Sequence, residues 1–215
     1  MRRGKTRTLC SIHVRRIGQV TRKTKSEVLF EEFCECHQLD WAPVETGPAK
    51  TPDYRLRFGS TTVFVEIEQI ESDDGLDPTG VSSRTVGDHV RRKIAEARKQ
   101  LQTVSRGGSP TILLIYNSVD PMQLFGTETH DFICAMYGEL TVRLREGRLT
   151  DSFHGRNSLL RRGINTSFSA VGHLRQGQSG PEVRIFENIY SRYPLPFEQL
   201  PPCFDVVRIE MENAA

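Results

Sequence analysis

Residues 52–69, PDYRLRFGSTTVFVEIEQ, alternate apolar and polar side chains on either side of a Gly59-Ser60 pair, and this pattern predicts a β-hairpin of defined register. With Gly59 and Ser60 as a two-residue turn, Phe58 faces Thr61 and the numbers of each cross-strand pair total 119, so Asp53 falls opposite Glu66. Side chains alternate along a strand, so Asp53, Glu66 and Glu68 emerge on one face while Tyr54, Leu56, Val63, Val65 and Ile67 take the other. Two readings of the acidic face stand. Like charges about 5 Å apart repel by on the order of 3 kcal/mol at an effective dielectric near 20, but by under about 1 kcal/mol in bulk water. On an exposed face, Arg55 and Arg57 offset the carboxylates as a solvated lattice of ion pairs. On a buried face, one carboxylate takes a proton or the group holds a cation, and Mg²⁺ suits such a set because it takes one or two carboxylates together with water and phosphate oxygens.

The segments around the hairpin supply an α/β order. SEVLFEEFCECHQL, 26–39, predicts a helix capped by Ser26, with Val28, Leu29, Phe30, Phe33, Cys36 and Leu39 on one face, Glu32 inside that face, and Glu27, Glu31 and Glu35 opposite. A connection at 40–51 leads into the hairpin, and a long polar loop at 71–88 follows it. A second helix is expected over 86–104, with Val86, Val90, Ile94, Ala97, Leu101 and Val104 as its core stripe. Lys93 and Gln100 border the stripe on one side, with His89 beyond them; Arg91 and Arg98 border it on the other. PTILLIYN, 110–117, reads as a central strand covered on both faces. Beyond it the expectation is a helix near 129–140, a strand at TVRLR, a loop at 146–163, and strands at SFSAVGHLR, EVRIFENI and FDVVRIEME. The fold class is α/β: a mixed β-sheet flanked by helices, in the order helix, hairpin, helix, strand, with a C-terminal α/β extension. The domain plan is a basic arm at 1–25 and a single domain at 26–215, core 26–117 and extension 118–215.

The 37% hydrophobic content is ordinary for a globular chain, and no apolar run reaches the roughly 18 residues of a membrane helix, so the expectation is a soluble, cytoplasmic protein with no membrane partner. Charge is uneven. Residues 1–26 carry nine Lys or Arg and no acid, leaving 20 basic against 27 acidic residues in the remainder. Such an arm reads either as a phosphate-contacting segment, Arg15 and Arg16 included, or as a disordered tail; its composition also resembles an organelle presequence. TLCSIHV is shorter and more polar than the apolar stretch of a secretory signal. The five cysteines show no paired spacing, which fits a reduced compartment. Helical spacing scatters the ligands of CECH, 34–37, over different faces, which argues against zinc.

Pro52-Asp53 on one strand and Glu66-Ile67-Glu68 on the next, between two helices and followed by a strand, resemble the restriction-endonuclease-like, or PD-(D/E)xK, nuclease superfamily. The core resemblance covers about 26–117, and SAVGHLR and RIFENIYSRYPLP are similar to C-terminal segments of bacterial members. The resemblance implies Mg²⁺, with Mn²⁺ as a substitute, held by Asp53 and Glu66, with Glu32 as the acidic residue of the first helix and Glu31 as the alternative. It further implies hydrolysis of DNA phosphodiester bonds, with Glu68 orienting or deprotonating the attacking water. One departure stands out: Glu68 occupies the family's lysine position. Lys93 on the following helix is the residue best placed to supply the missing cation, and Gln100 sits where several branches carry a polar helix residue. Arg156, Arg161 and Arg162 of GRNSLLRRG are candidate backbone contacts. Two alternatives remain: a catalytically inactive module of the same fold that binds nucleic acid or a protein, and an unrelated α/β interaction domain with an acidic surface hairpin. The oligomeric state is open, a homodimer included.

Overall fold

The computed structural model describes residues 23–45, 50–71, 85–120 and 125–210. The polar loop expected at 71–88 and the basic arm with Arg15 and Arg16 fall largely or wholly outside these residues. In chain order the elements are α1 (Lys25–Cys36), β1 (Asp40–Pro43), β2 (Tyr54–Phe58), β3 (Thr61–Ile70), α2 (Asp88–Ser105), β4 (Thr111–Asn117), α3 (Thr129–Tyr137), β5 (Leu140–Arg145), β6 (Arg148–His154), β7 (Ala170–Gly177), β8 (Gly180–Glu187) and β9 (Phe204–Val207). Seven strands form one mixed sheet in the order β1-β2-β3-β4-β7-β8-β9; β5 and β6 pair separately. The strands β3, β4 and β7 run parallel, as do β8 and β9, and the remaining neighbours in the sheet are antiparallel.

The hairpin register follows from its turn. Gly59 takes a φ of 57°, the left-handed value a tight turn requires, and the ladder runs from Phe58–Thr61 to Tyr54–Val65. Alternation then sends Tyr54, Leu56, Phe58, Val63, Val65 and Ile67 to one side of the sheet, where they pack with Leu29, Phe30, Phe33 and Cys34 of α1. The other side holds Leu113, Ile115, Val171 and Phe186 against Val90, Ile94, Ala97 and Leu101 of α2 and Phe132, Ala135 and Met136 of α3. The central strand β4 serves both layers: Ile112 and Leu114 face α1 while Leu113 and Ile115 face α2, which explains its unbroken apolar run.

Four expectations need correction. Thr24, rather than Ser26, caps α1: the Glu27 amide donates to Thr24 Oγ1 at 3.2 Å and the Thr24 amide donates to Glu27 Oε2 at 2.5 Å. The connection at 40–51 contains an edge strand, β1, and the loop at 146–163 contains β6. The buried stripe of α1 is Ser26, Leu29, Phe30, Phe33 and Cys34, a phase that leaves Val28 and Cys36 outside. No helix among the described residues is long and apolar enough to cross a membrane.

Where β7 passes β8 the backbones approach closely. A Cβ on Gly172 would stand 2.5 Å from the Arg184 carbonyl oxygen and 2.8 Å from Ile185 Cγ2. Gly172→Ala is therefore expected to destabilise the fold by about 1–3 kcal/mol through overpacking. Urea denaturation measures this directly, and an unchanged midpoint would show that β7 and β8 have room to part.

Candidate active site

The acidic face of the hairpin points toward α2. Glu66 lies opposite Leu113 and Glu68 opposite Ile115 in the parallel ladder, so both side chains rise on the face that packs against α2. Asp53 sits one residue beyond the last Tyr54–Val65 pair, and its Oδ2 accepts the Ile67 amide at 2.8 Å. This carboxylate thus replaces a backbone acceptor at the end of the ladder and stays beside Glu66.

The second helix supplies a matching partner for each strand glutamate. Gln100 Nε2 donates to Glu66 Oε1 at 2.9 Å, and Lys93 Nζ donates to Glu68 Oε2 at 3.0 Å. Lys93 also meets Glu96 Oε2 at 2.6 Å. The helix runs against the direction of β3, so the residue nearer its start meets the glutamate nearer the strand's end. Positions 93 and 100 are two turns apart and fall on one flank, which is why a single helix reaches both carboxylates.

Burial decides the electrostatics. Glu66 is only 5% exposed, and its Oε2 has no hydrogen-bond partner; the same is true of Gln100 Oε1. Desolvation, with the Asp53 and Glu68 charges adding to it, pushes the Glu66 carboxyl up to about 9, against the opposing pull of Lys50 and of the Asp53 amide. Asp53 is pushed up to about 6, first by burial and then by the charges of Glu27 and Glu68, while the Ile67 amide holds it down. Burial on its own would lower the Lys93 amine, but its hydrogen bonds to Glu96 and Glu68 carry it above the ordinary lysine value. The exposed lattice with Arg55 and Arg57 is excluded for Glu66: those arginines are exposed on β2, and the carboxylate is not.

The first helix does not contribute the residue expected. Glu32 is exposed and lines a shallow surface hollow with Lys23, Val28 and Tyr116. The phase of α1 is the reason, because burial of Ser26 and Cys34 rotates Glu32 away from the sheet. Glu31 instead accepts the Tyr54 hydroxyl at 2.8 Å and pairs with Lys23 at 2.6 Å. Glu27 is the α1 carboxylate whose charge acts on Asp53, a role hidden in the sequence because Glu27 also completes the helix cap. Arg156, Arg161 and Arg162 are all exposed, and Arg161 forms a backbone bridge to Ile164.

A hard divalent ion suits the donors that converge here. Asp53 and Glu66 offer oxygen ligands, and the unpartnered Glu66 Oε2 and Gln100 Oε1 are buried acceptors of the kind a cation satisfies. Glu68 is committed to Lys93, so the hairpin supplies two carboxylates rather than three. Among the described residues, three acidic or imidazole ligand atoms come within 4.8 Å of one another only in Glu128, His130 and Asp131, at the start of α3. Those groups are already occupied with capping: Asp131 accepts the Gly87 and Glu128 amides at 2.8 and 3.2 Å, and His130 pairs with Glu128 at 3.0 Å. Comparison with protein-family models, curated proteins and solved structures gives no significant match.

Proposed function

We propose that this chain is a Mg²⁺-dependent phosphodiesterase of the restriction-endonuclease-like type, acting on DNA. The observation that carries the reading is the Glu66 carboxylate, buried with one oxygen unpartnered, beside Asp53 and facing a helix that delivers Gln100 and Lys93. The order α1, β2–β3 hairpin, α2, β4 also supports it. Asp53 and Glu66 would hold the ion, which would acidify a bound water and polarise the phosphate. Gln100 fixes Glu66 by its hydrogen bond. Glu68 keeps Oε2 on Lys93, and Oε1 carries no hydrogen bond among the described residues, so it is the oxygen that orients and deprotonates the nucleophile. Lys93, displaced from the strand to the helix, neutralises charge developing at phosphorus.

One observation favours the second reading, an inactive module of the same fold: Lys93 is shared between Glu68 and Glu96, which ties up the cation. Calorimetric titration with Mg²⁺ and Mn²⁺, run beside cleavage of plasmid and short duplexes, separates the two. The expected result is metal binding with nicking, both lost in Asp53→Ala. Cleavage that survives Asp53→Ala and Glu66→Ala would eliminate the hairpin site, and DNA binding without cleavage in either metal would establish the inactive module.

A further inference from the structure

The opposite flank of α2 carries a second, chemically different feature. A cavity of about 200 Å³ opens near the helix's C-terminal end, lined in part by Arg98, Arg106 and Arg192. Its wall contains no carboxylate, and none of the three guanidinium groups has an ion pair or hydrogen bond among the described residues. The floor is polar and buried: Ser105 is 5% exposed and Asn165 and Ser167 are each 9% exposed. Asn165 Nδ2 donates to the Leu159 carbonyl at 2.9 Å, which fixes the amide and leaves Oδ1 without a donor; Ser167 Oγ also lacks a partner. The Ser167 backbone is held against β4 by the Thr111 hydroxyl at 2.5 Å, so this part of the wall belongs to the sheet's own framework.

Charge decides what such a cavity attracts. The C-terminal end of a helix contributes about half a negative charge, which disfavours anions, but three full positive charges outweigh it. Guanidinium groups match phosphate oxygens in planar, bidentate geometry, and Ser167 adds a hydroxyl donor. Asn165 Oδ1 is an acceptor and is not served by an oxyanion. It calls for a ligand that also brings a hydroxyl. The volume lies below the roughly 300–1,000 Å³ of cavities that enclose drug-sized ligands, so it suits a phosphate and part of an attached sugar, with the base left outside.

We propose that this cavity binds the phosphate monoester of a nucleotide. The arginines take the phosphate oxygens and Asn165 accepts from a sugar hydroxyl, independently of the metal chemistry on the other flank. The phosphate belongs either to a free nucleotide or to the 5′ end of a strand. Calorimetry in magnesium-free buffer at constant ionic strength tests the site with a nucleoside 5′-monophosphate, the bare nucleoside, and a short single strand with and without its 5′-phosphate. The monophosphate should bind and the nucleoside should not, with adenine and cytosine forms alike. Arg98→Ala combined with Arg192→Ala should weaken binding about tenfold or more, while Arg55→Ala combined with Arg57→Ala, on the distant β2 strand, should leave it unchanged. Asn165→Asp, which brings a carboxylate into the wall, should also weaken it. Preference for the phosphorylated strand assigns a strand end; equal binding of the two strands beside a binding monophosphate assigns a free nucleotide. Absence of binding by every phosphorylated probe, or equal losses in the β2 control pair, would overturn the proposal.

Discussion

Glu66→Gln is expected to make the protein more stable than the wild type at pH 8 and to leave it unable to bind Mg²⁺ or cleave DNA. The folded chain holds the Glu66 proton up to about 9, while an unfolded glutamate releases it near its ordinary value of 4.5. Between those values the unfolded state binds fewer protons than the folded state, so stability falls as pH rises through this window and levels off above it. The cost at pH 8 is on the order of a few kcal/mol. Glutamine removes it and supplies donors where Glu66 Oε2 and Gln100 Oε1 both lack one. Urea unfolding from pH 5 to pH 9 should therefore show a falling midpoint for the wild type and a much flatter one for Glu66→Gln. Under the proposed function the same proton would govern metal binding. Each cation entering at pH 7 must displace it, so affinity should rise by about tenfold per pH unit from about 6, where Asp53 is half ionised, to about 9. Calorimetry in buffers of different ionisation enthalpy counts the displaced proton. A midpoint independent of pH, or metal affinity without proton release, would mean that Glu66 is ionised and served by something other than the groups described.

The parts of this site that the sequence reveals are those fixed by local geometry. A Gly-Ser turn and strict alternation determine the hairpin register, so the shared face of Glu66 and Glu68 follows without further information. Lys93 and Gln100 are likewise visible on one flank of a helix with a clear apolar stripe. Their pairing with particular glutamates is not visible, because the sequence does not specify how a helix crosses the sheet it covers. The first helix shows the same limit. Val28 and Cys36 are as apolar as the residues that become buried, and only packing against the sheet, where the Ser26 amide donates to Gln69 of β3 and the helix rests on β7 and β8, selects Ser26 and Cys34, turning Glu32 outward. The missed strands have weak signals for a shared reason. The edge strand β1 is four residues ending in Pro43, a residue such edges tolerate, and β6 is exposed along its whole length, so neither has a buried face to impose alternation. The arginine cavity joins a helix end to two segments more than fifty residues further along the chain, a proximity that only the fold creates.

The largest expected effect on catalysis alone concerns Lys93. The Lys93 side chain is 13% exposed and that of Glu68 17%, so their pair is mostly withdrawn from water and its loss leaves a poorly solvated charge. Lysine with a folded value above its unfolded one adds stability that is complete below the ordinary lysine range and is lost only as pH rises through the higher folded value. The pair is consequently intact across any neutral assay. Lys93→Ala should lower kcat by about 10²–10³-fold, the usual cost of removing a donor aimed at developing charge. Glu96→Gln, which removes the more exposed of the two partners, should leave kcat within about threefold, a change under 1 kcal/mol. Glu68→Lys alone places two ammonium groups together and should cost about 1–3 kcal/mol of stability. Combining it with Lys93→Glu restores the pair in reverse and returns the cation to the strand, where the resembled nucleases carry it. Stability should recover in the double variant, but cleavage should stay about 10²-fold or more below wild type, because lysine at position 68 cannot take the proton from water as Glu68 is proposed to do. Cleavage within about tenfold of wild type would show instead that the cation is the part of the pair the chemistry needs, and would remove Glu68 from the role of base.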